Sequence, residues 1–572
     1  MTFTPAVREQ NFVLDHVAKI ADLAATERFA DATPDLVEAV LEGAGAFATG
    51  EWAPLLREGD TNGPKWTEAG VVMPKGYPEA YHAYVEGGWG TIGAPADFGG
   101  QGLPFVLASA VLETLGTANM GFALAPTLTV GAIESLLHHG TPEQQAAYLP
   151  HLATGAWTGT MNLTEPQAGS DVGALRARAE PVGDGTFRIS GTKIFISFGD
   201  HDMADNIVHL VLARTPGAPE GTRGISLFLV PKYRLDADGN PGEFNDVRVV
   251  SIEHKMGLHA SPTCVLSFGD NNDCIGELIG PEMGGMRAMF TMMNNARLNV
   301  GLQGVQVGEA ATQKAVEYAR DRVQSARAGS VDKSPVAIIE HPDVRRMLMR
   351  MKAQTQAARA LVYLACSMVD RAGLGDEAAK DRLEILTPLA KAHATDLGNE
   401  IASLGVQVHG GMGFIEETGA AQFFRDARIT PIYEGTNGIQ AADLVGRKLG
   451  LSNGAAFTTL IADMRRDAED PALRTLIDAC DAGGHRLSTA DADDRLAASY
   501  PFLTMLSVAA CGWLMEAQGR AAADGDDDFL KMKRAVCAFY VDQIVPEALG
   551  LHAAASAPAA GLYALPADLF AA

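Results

Sequence analysis

The chain has 572 residues, of which 70 are acidic and 45 basic, for a formal charge of −25 at neutral pH. That length exceeds one ordinary core and sets an expectation of roughly three to four folding units, while the negative balance disfavours nucleic acid and anionic lipid as partners. An anionic ligand would need a local cluster of Arg, Lys and backbone N–H groups to hold it.

The opening MTFTPAVREQNF has neither the basic-then-apolar layout of a secretory signal nor the Arg-rich layout of a transit peptide, so a cytoplasmic location is expected. From about Asn11 to Leu152 apolar residues recur at helical spacing, as in Leu107, Val111, Leu112 and Leu115, which predicts an N-terminal α-helical domain over residues 1–157. Gly88, Gly90 and Gly93 fit a GxGxxG pattern, but they follow a helical segment and lead into Ala94 and Pro95, so they read as a loop. Between 158 and 281 the pattern changes to short β-type runs, Phe187 to Ile196, Ile207 to Leu212, Ile225 to Val230 and Val247 to Ile252, separated by turn residues. These predict a compact antiparallel middle β-domain. Helical periodicity returns at about Gly284 in Ala288 to Arg322, Val344 to Val369 and Leu383 to Val408, which suit a helical bundle over 282–450.

Beyond the linker LSNG, residues 451–572 read as a C-terminal helical extension of a size that suits an independent unit. The fold class expected is therefore α+β, mainly α, and the segregation of strands from helices argues against a Rossmann enzyme. Two uncharged stretches of membrane-spanning length, Thr114 to Ile133 and Leu496 to Met515, contain Asn119, Pro126, Ser499, Pro501 and Thr504, and are expected to be buried helices with no membrane span. The six cysteines have no CxxC pair and no His at metal spacing, so they read as core residues, with no metal site.

Three segments carry possible chemistry. MNLTEPQAGSD, Met161 to Asp171, is a turn that can aim backbone N–H groups and a hydroxyl at a ring edge or a phosphate. On local chemistry alone an ordinary strand-end turn is the better explanation. QVHGGMGF, Gln407 to Phe414, places Gly410, Gly411 and Gly413 at a predicted helix end, where a plain cap needs only one glycine, so a close ligand approach is indicated. In PIYEGTNGIQ, Thr436 and Asn437 can cap the helix that follows. An isolated Glu at a helix start is usually a solvated, dipole-favoured residue. Glu434, however, follows Pro431, Ile432 and Tyr433, an apolar setting that can raise its pKa toward that of a general base.

Taken in order, MNLTEPQAGSD, GTKIFIS, YARDR, QVHGGMGF and IYEGTNGIQ resemble the acyl-CoA dehydrogenase family across about Leu41 to Leu449. The segment SPVAIIEHPDVRRML and the extension after Gly450 are similar to its longer members, among them 3-methylmercaptopropionyl-CoA dehydrogenases and FadE-type enzymes. The resemblance implies FAD as cofactor. It implies that Met161, Leu163, Thr164 and Ser170 belong to a loop contacting the flavin, with Ser170 also reaching substrate, and that Phe195, Ile196 and Ser197 lie on the strand beside the ring. Arg322, Gln407, Gly410 and Gly411 are implied to reach the cofactor of a neighbouring subunit, which requires at least a homodimer. Arg297 is implied at the CoA mouth, with Tyr433 and Gly435 beside the substrate and Thr436 and Asn437 beside the cofactor. Some members carry their base immediately before the arginine matching Arg297, where this chain has Ala296, so the role falls to Glu434. Ser325 and Ala326 depart from the Phe-Gly that many members have there.

The implied reaction is α,β-dehydrogenation of an acyl-CoA thioester, such as 3-methylmercaptopropionyl-CoA or a fatty acyl-CoA, to the trans-2-enoyl-CoA. Glu434 takes the α-proton, and the flavin N5 accepts the β-hydride. Electron-transferring flavoprotein is the implied electron acceptor. An acyl-CoA oxidase of similar fold, passing electrons to oxygen, is the rival enzyme, and a non-catalytic acyl-CoA-binding protein is the rival of another class. Retention of Glu434 argues against the second.

Overall fold

The computed structural model describes residues 3–572, the side chains at 291, 292 and 294 excepted. Helix accounts for 61% of the chain and strand for 13%, in the expected order of helices, a β-domain, long helices and a further helical segment. The chain forms two compact units, residues 42–296 and residues 3–41 together with 297–572.

In the first unit the strands are ordered Val247–Ile252, Thr263–Phe268, Thr186–Ser197, Ile275–Ile279, Ser226–Pro231, Asn206–Ala213 and Trp157–Asn162, with Arg178–Pro181 paired to the Thr186 strand. Every pair is antiparallel except Trp157–Asn162 with Asn206–Ala213, which is parallel. The expectation of a purely antiparallel domain fails at this pair, because the chain lays down two other strands before returning, a crossover long enough to permit parallel pairing. Strands Asn206–Ala213 and Ser226–Pro231 are buried at every residue. One face packs Leu210, Leu227 and Leu229 with Leu136 and Leu149, and the other packs Val211, Phe228 and Val230 with Ile189 and Leu266. Burial on both faces explains why these strands read as continuous apolar runs rather than as alternating ones. In the same unit the helix Phe105–His139 is broken at Asn119 (φ −160°, ψ 87°). The Asn119 side chain restarts the helix by accepting from the Phe122 N–H at 3.2 Å and donates to the Tyr77 hydroxyl at 3.1 Å.

In the second unit, helices Pro342–Gly373 and Glu377–His409 pack against each other. Helix Gly285–Asp321 crosses the second of these almost backbone to backbone: a Cβ on Gly304 would lie 2.1 Å from the Ala394 carbonyl oxygen, so no larger residue fits. The crossing brings the turns that carry Arg297 and Gln303 alongside the turn that carries Lys391. The extension after Gly450 is not a separate body. Its helix Ala492–Ala521 packs on helices Pro342–Gly373, Glu377–His409 and Asn437–Gly446. Buried Lys533 donates to Glu9 at 2.9 Å, Gln356 at 3.2 Å and Gln518 at 2.6 Å, tying the N-terminal helix, the bundle and the extension through one satisfied charge. Among the described residues, two helices are long and apolar enough to cross a membrane, Phe105–His139 and Ala492–Ala521; 72% and 78% of their most apolar windows lie inside the protein, so core packing accounts for their composition.

Candidate active site

In the unit 42–296, the loop after Trp157–Asn162 is fixed by an ion pair that the sequence reading did not single out. Lys193, fully buried, donates to Glu165 at 2.8 Å and to the Leu163 carbonyl at 3.2 Å. Burial opposes ionisation of Glu165, yet Lys193 and the backbone donors of Arg176 and Ala177 hold its carboxyl below the usual range. The Ile194 N–H donates to the Thr164 carbonyl at 2.9 Å, which joins the loop to strand Thr186–Ser197. That strand bulges opposite Thr263–Phe268 between the Lys193 and Ile196 pairings. Phe195 occupies the bulge at φ +61° and is 60% exposed. Bulges re-aim side chains next to functional sites, and a positive φ at an aromatic residue is a strained state that surrounding structure must enforce. Met161, Leu163, Thr164 and Ser197 are half-buried and Ser170 is exposed. Ile196 differs from its expected role: its side chain is 2% exposed and lies in the β-core with Cys264 and Leu266, because the strand pleat turns it inward, leaving only its backbone to meet a ligand.

In the other unit, the turn Pro431 to Asn437 is closed by the Asn437 N–H donating to the Pro431 carbonyl at 2.9 Å. Glu434 sits within it at φ +54° and half-buried, followed by Gly435 at φ +85°. Burial pushes the Glu434 carboxyl above its ordinary pKa, against the opposing pull of Arg297 and Lys391. Arg297 is 6% exposed, and its Nε has no hydrogen-bond partner among the described residues. The space a Cβ would occupy at Gly435 is bounded by the Gln440 amide at 2.8 Å and the Arg297 Nη2 at 3.9 Å. Lys391 is fully buried, donates to the Thr430 carbonyl at 3.0 Å and to Asn437 Oδ1 at 2.9 Å, and is pushed down by burial to about 8 against the pull of Glu434 and Asp396. The Tyr433 hydroxyl donates to Gln303.

Thr436 caps helix Asn437–Gly446 by accepting from the Ile439 N–H at 3.1 Å, as its position suggested. Asn437 is buried, with its amide nitrogen on Ala392, Thr395 and Asp396 and its oxygen on Lys391, so its side chain braces the turn from within instead of facing a cofactor. Lys391 and Asp396 escaped the sequence reading. The available signal was a pair of charges, five residues apart, inside the apolar run LTPLAKAHATDLG.

Two further motifs meet at the other end of the same long helix. Tyr318, from YARDR, stacks on His409, from QVHGGMGF, with ring centroids 4.4 Å apart. Arg322 and Gln407 are exposed there, and Gly410 turns the chain at φ +59°. A Cβ on Gly411 would meet nothing within 4 Å, so packing within the chain does not require a glycine. Ser325, at the departure from the Phe-Gly pattern, holds φ +58° and accepts from the Val336 N–H at 2.9 Å.

Family models for the acyl-CoA dehydrogenase N-terminal, middle and C-terminal domains match residues 35–156, 160–271 and 283–449, and an acetyl-CoA dehydrogenase C-terminal-like model matches 458–566. The chain is 44% identical to a 3-methylmercaptopropionyl-CoA dehydrogenase of Ruegeria pomeroyi, over 96% of this chain and 97% of that one. This chain belongs to the acyl-CoA dehydrogenase family. It is also 38% identical to a butyryl-CoA dehydrogenase of Syntrophomonas wolfei, over 87% of each chain. In fold it is similar to an acyl-CoA dehydrogenase of Bacillus anthracis solved with FAD, with a TM-score of 0.73 at 22% identity over 95% of this chain and 91% of that one. The chain is an oxidoreductase of this family, and FAD is its cofactor. Each unit by itself carries features that fit such a group: in the unit 42–296 the exposed aromatic on a bulge at Phe195 suits a flat ring, and in the other unit the open backbone at Gly411 and the exposed Arg322 suit a phosphate-bearing part.

Proposed function

We propose that this acyl-CoA dehydrogenase oxidises a short acyl-CoA thioester, with Glu434 as the base that takes the α-proton. The observation that carries the proposal is the setting of Glu434: a half-buried carboxyl held in a left-handed turn, its pKa raised by burial, with the Arg297 and Lys391 cations acting on it. A base that is weak in water becomes stronger when desolvated, and the Arg297 and Lys391 cations offset part of the rise that burial causes. The Glu434 backbone N–H supports the thioester carbonyl, and Arg297, with an unpartnered Nε in a dry setting, favours an anionic group of the substrate nearby. FAD, when bound, supplies the acceptor for the β-hydride. The acyl class follows the name of the Ruegeria pomeroyi relative, 3-methylmercaptopropionyl-CoA, a thioester of short chain. Gln407, Gly410, Gly411 and Arg322 serve the cofactor of a second copy of the chain, whose contact also covers the exposed Met412, Phe414 and Ile415. Electron-transferring flavoprotein takes the electrons onward.

The test is anaerobic mixing of the yellow protein with a series of acyl-CoAs, including butyryl-CoA and 3-methylmercaptopropionyl-CoA. Bleaching by the short thioesters is expected. Glu434→Gln, nearly isosteric but unable to accept the proton, is expected to keep FAD and lower the bleaching rate by at least about 1000-fold. Near-normal bleaching in that variant would move the base elsewhere.

A further inference from the structure

A polar side chain of the C-terminal extension joins the hydrogen bonds that brace the turn carrying Glu434. Tyr500, on helix Ala492–Ala521, donates its hydroxyl to Asp396 Oδ2 at 2.6 Å. Asp396 Oδ1 accepts from Asn437 Nδ2 at 2.9 Å, and Asn437 Oδ1 accepts from the Lys391 ammonium at 2.9 Å. The chain of contacts thus runs from the extension, across helices Glu377–His409 and Asn437–Gly446, to the cation that acts on Glu434. We propose that Tyr500 is a positioning residue for Glu434, acting through Asp396, Asn437 and Lys391; this rests on Glu434 being the base.

The directions of the hydrogen bonds support the assignment. An amide can satisfy a carboxylate and an ammonium together in one orientation only, nitrogen to the anion and oxygen to the cation. Asn437 holds that orientation as long as Asp396 is anionic. Asp396 lies mostly out of water, and burial raises its pKa against the opposing effects of Tyr500, Asn437, Lys391 and Arg428, the polar and charged groups that face it. Tyr500 is therefore one of the donors that keep the carboxylate ionised and fixed, and without it the Lys391 ammonium loses a defined partner. At 39% exposure, and with its ring packed at the surface, Tyr500 tolerates a change to Phe without a cavity.

The full-length holoenzyme carrying Tyr500→Phe is expected to reduce its flavin with an acyl-CoA about three- to tenfold more slowly at neutral pH, with the thioester Kd unchanged. In a Lys391→Met background the same change should have no further effect on rate, because residues acting through one another are not additive. A readout independent of turnover is the melting temperature. Asp396 has a folded pKa above its unfolded one, so the folded state binds the extra proton and stability falls as pH rises through that window. Removing a donor to the carboxylate deepens that fall, so the loss in Tm for Tyr500→Phe should be larger at pH 8 than at pH 4, near the ordinary carboxyl value. Equal Tm losses at both pH values, or additive rate effects with Lys391→Met, would overturn the proposal and leave Tyr500 an ordinary packing contact. Glu434→Gln in the same assay separates the two readings: if it bleaches normally the base assignment falls, whereas if it is inactive and the Tyr500 results are null, only the positioning role falls.

Discussion

Glu434 at φ +54° and Phe195 at φ +61° are non-glycine residues in the left-handed region, a state that costs about 1–3 kcal/mol each and persists only where neighbours enforce it. For Glu434 the enforcement comes from the Asn437 to Pro431 closure and from Lys391, whose two hydrogen bonds fasten Thr430 and Asn437 on either side of the turn. Lys391 also acts electrostatically, lowering a carboxyl pKa that burial raises. Lys391→Met should therefore let the Glu434 pKa climb further. Since the base works only when ionised, the acid limb of the flavin-reduction rate should move to higher pH. Stopped-flow reduction between pH 5.5 and 8.5 checks this. A limb that stays in place would leave Lys391 a purely mechanical tie.

At the scale of elements, the end of helix Glu377–His409 separates structural glycines from one that the chain's own packing does not need. A Cβ at Gly413 would meet the Val406 carbonyl oxygen at 2.3 Å, whereas one at Gly411 meets nothing. Gly411→Val should then leave the melting temperature of the apoprotein within about 2 °C of wild type, since nothing inside the chain is displaced. FAD retention after dialysis should fall, because a side chain now occupies the approach to the backbone. Arg322→Ala should share the loss through the missing charge-assisted contact to phosphate. Unchanged flavin-to-protein absorbance ratios in both variants would remove this helix end from the cofactor site.

At the scale of the whole molecule, the extension after Gly450 is part of the core of its unit. Phe502, Leu506 and Leu514 are buried, and Lys533 neutralises Glu9, which is itself buried. Truncation after Gly450 removes the covering helix from the bundle, exposes apolar surface and leaves Glu9 with only the longer ion pair to Arg359 at 3.8 Å. The truncated protein should aggregate during expression or emerge without FAD, as light scattering and absorbance would record. A soluble fragment that bleaches at the full rate would show the extension to be an accessory, and would also conflict with the role given to Tyr500.

Periodicity and punctuation were enough to place the long elements: the run Leu383 to Val408 became helix Glu377–His409, and Phe187 to Ile196 became strand Thr186–Ser197. Local signals of this kind are carried by neighbours three or four residues apart in a helix and two apart in a strand, so they survive without knowledge of the fold. The motif GTNGIQ likewise announced its own cap at Thr436. What tertiary structure alone decided is which side chains share a space. Ile196 and Phe195 are adjacent in one motif, yet the pleat buries the first against Cys264 and Leu266 while the bulge exposes the second. Asn437 reads as a ligand contact beside Glu434, but its partners Lys391 and Asp396 stand more than 40 residues earlier in the chain. The link from Tyr500 to Asp396 spans 104 residues and two predicted domains. Hydrogen bonds and burial depend on distance in space, and no spacing along the sequence encodes a contact that only the packing of helices creates.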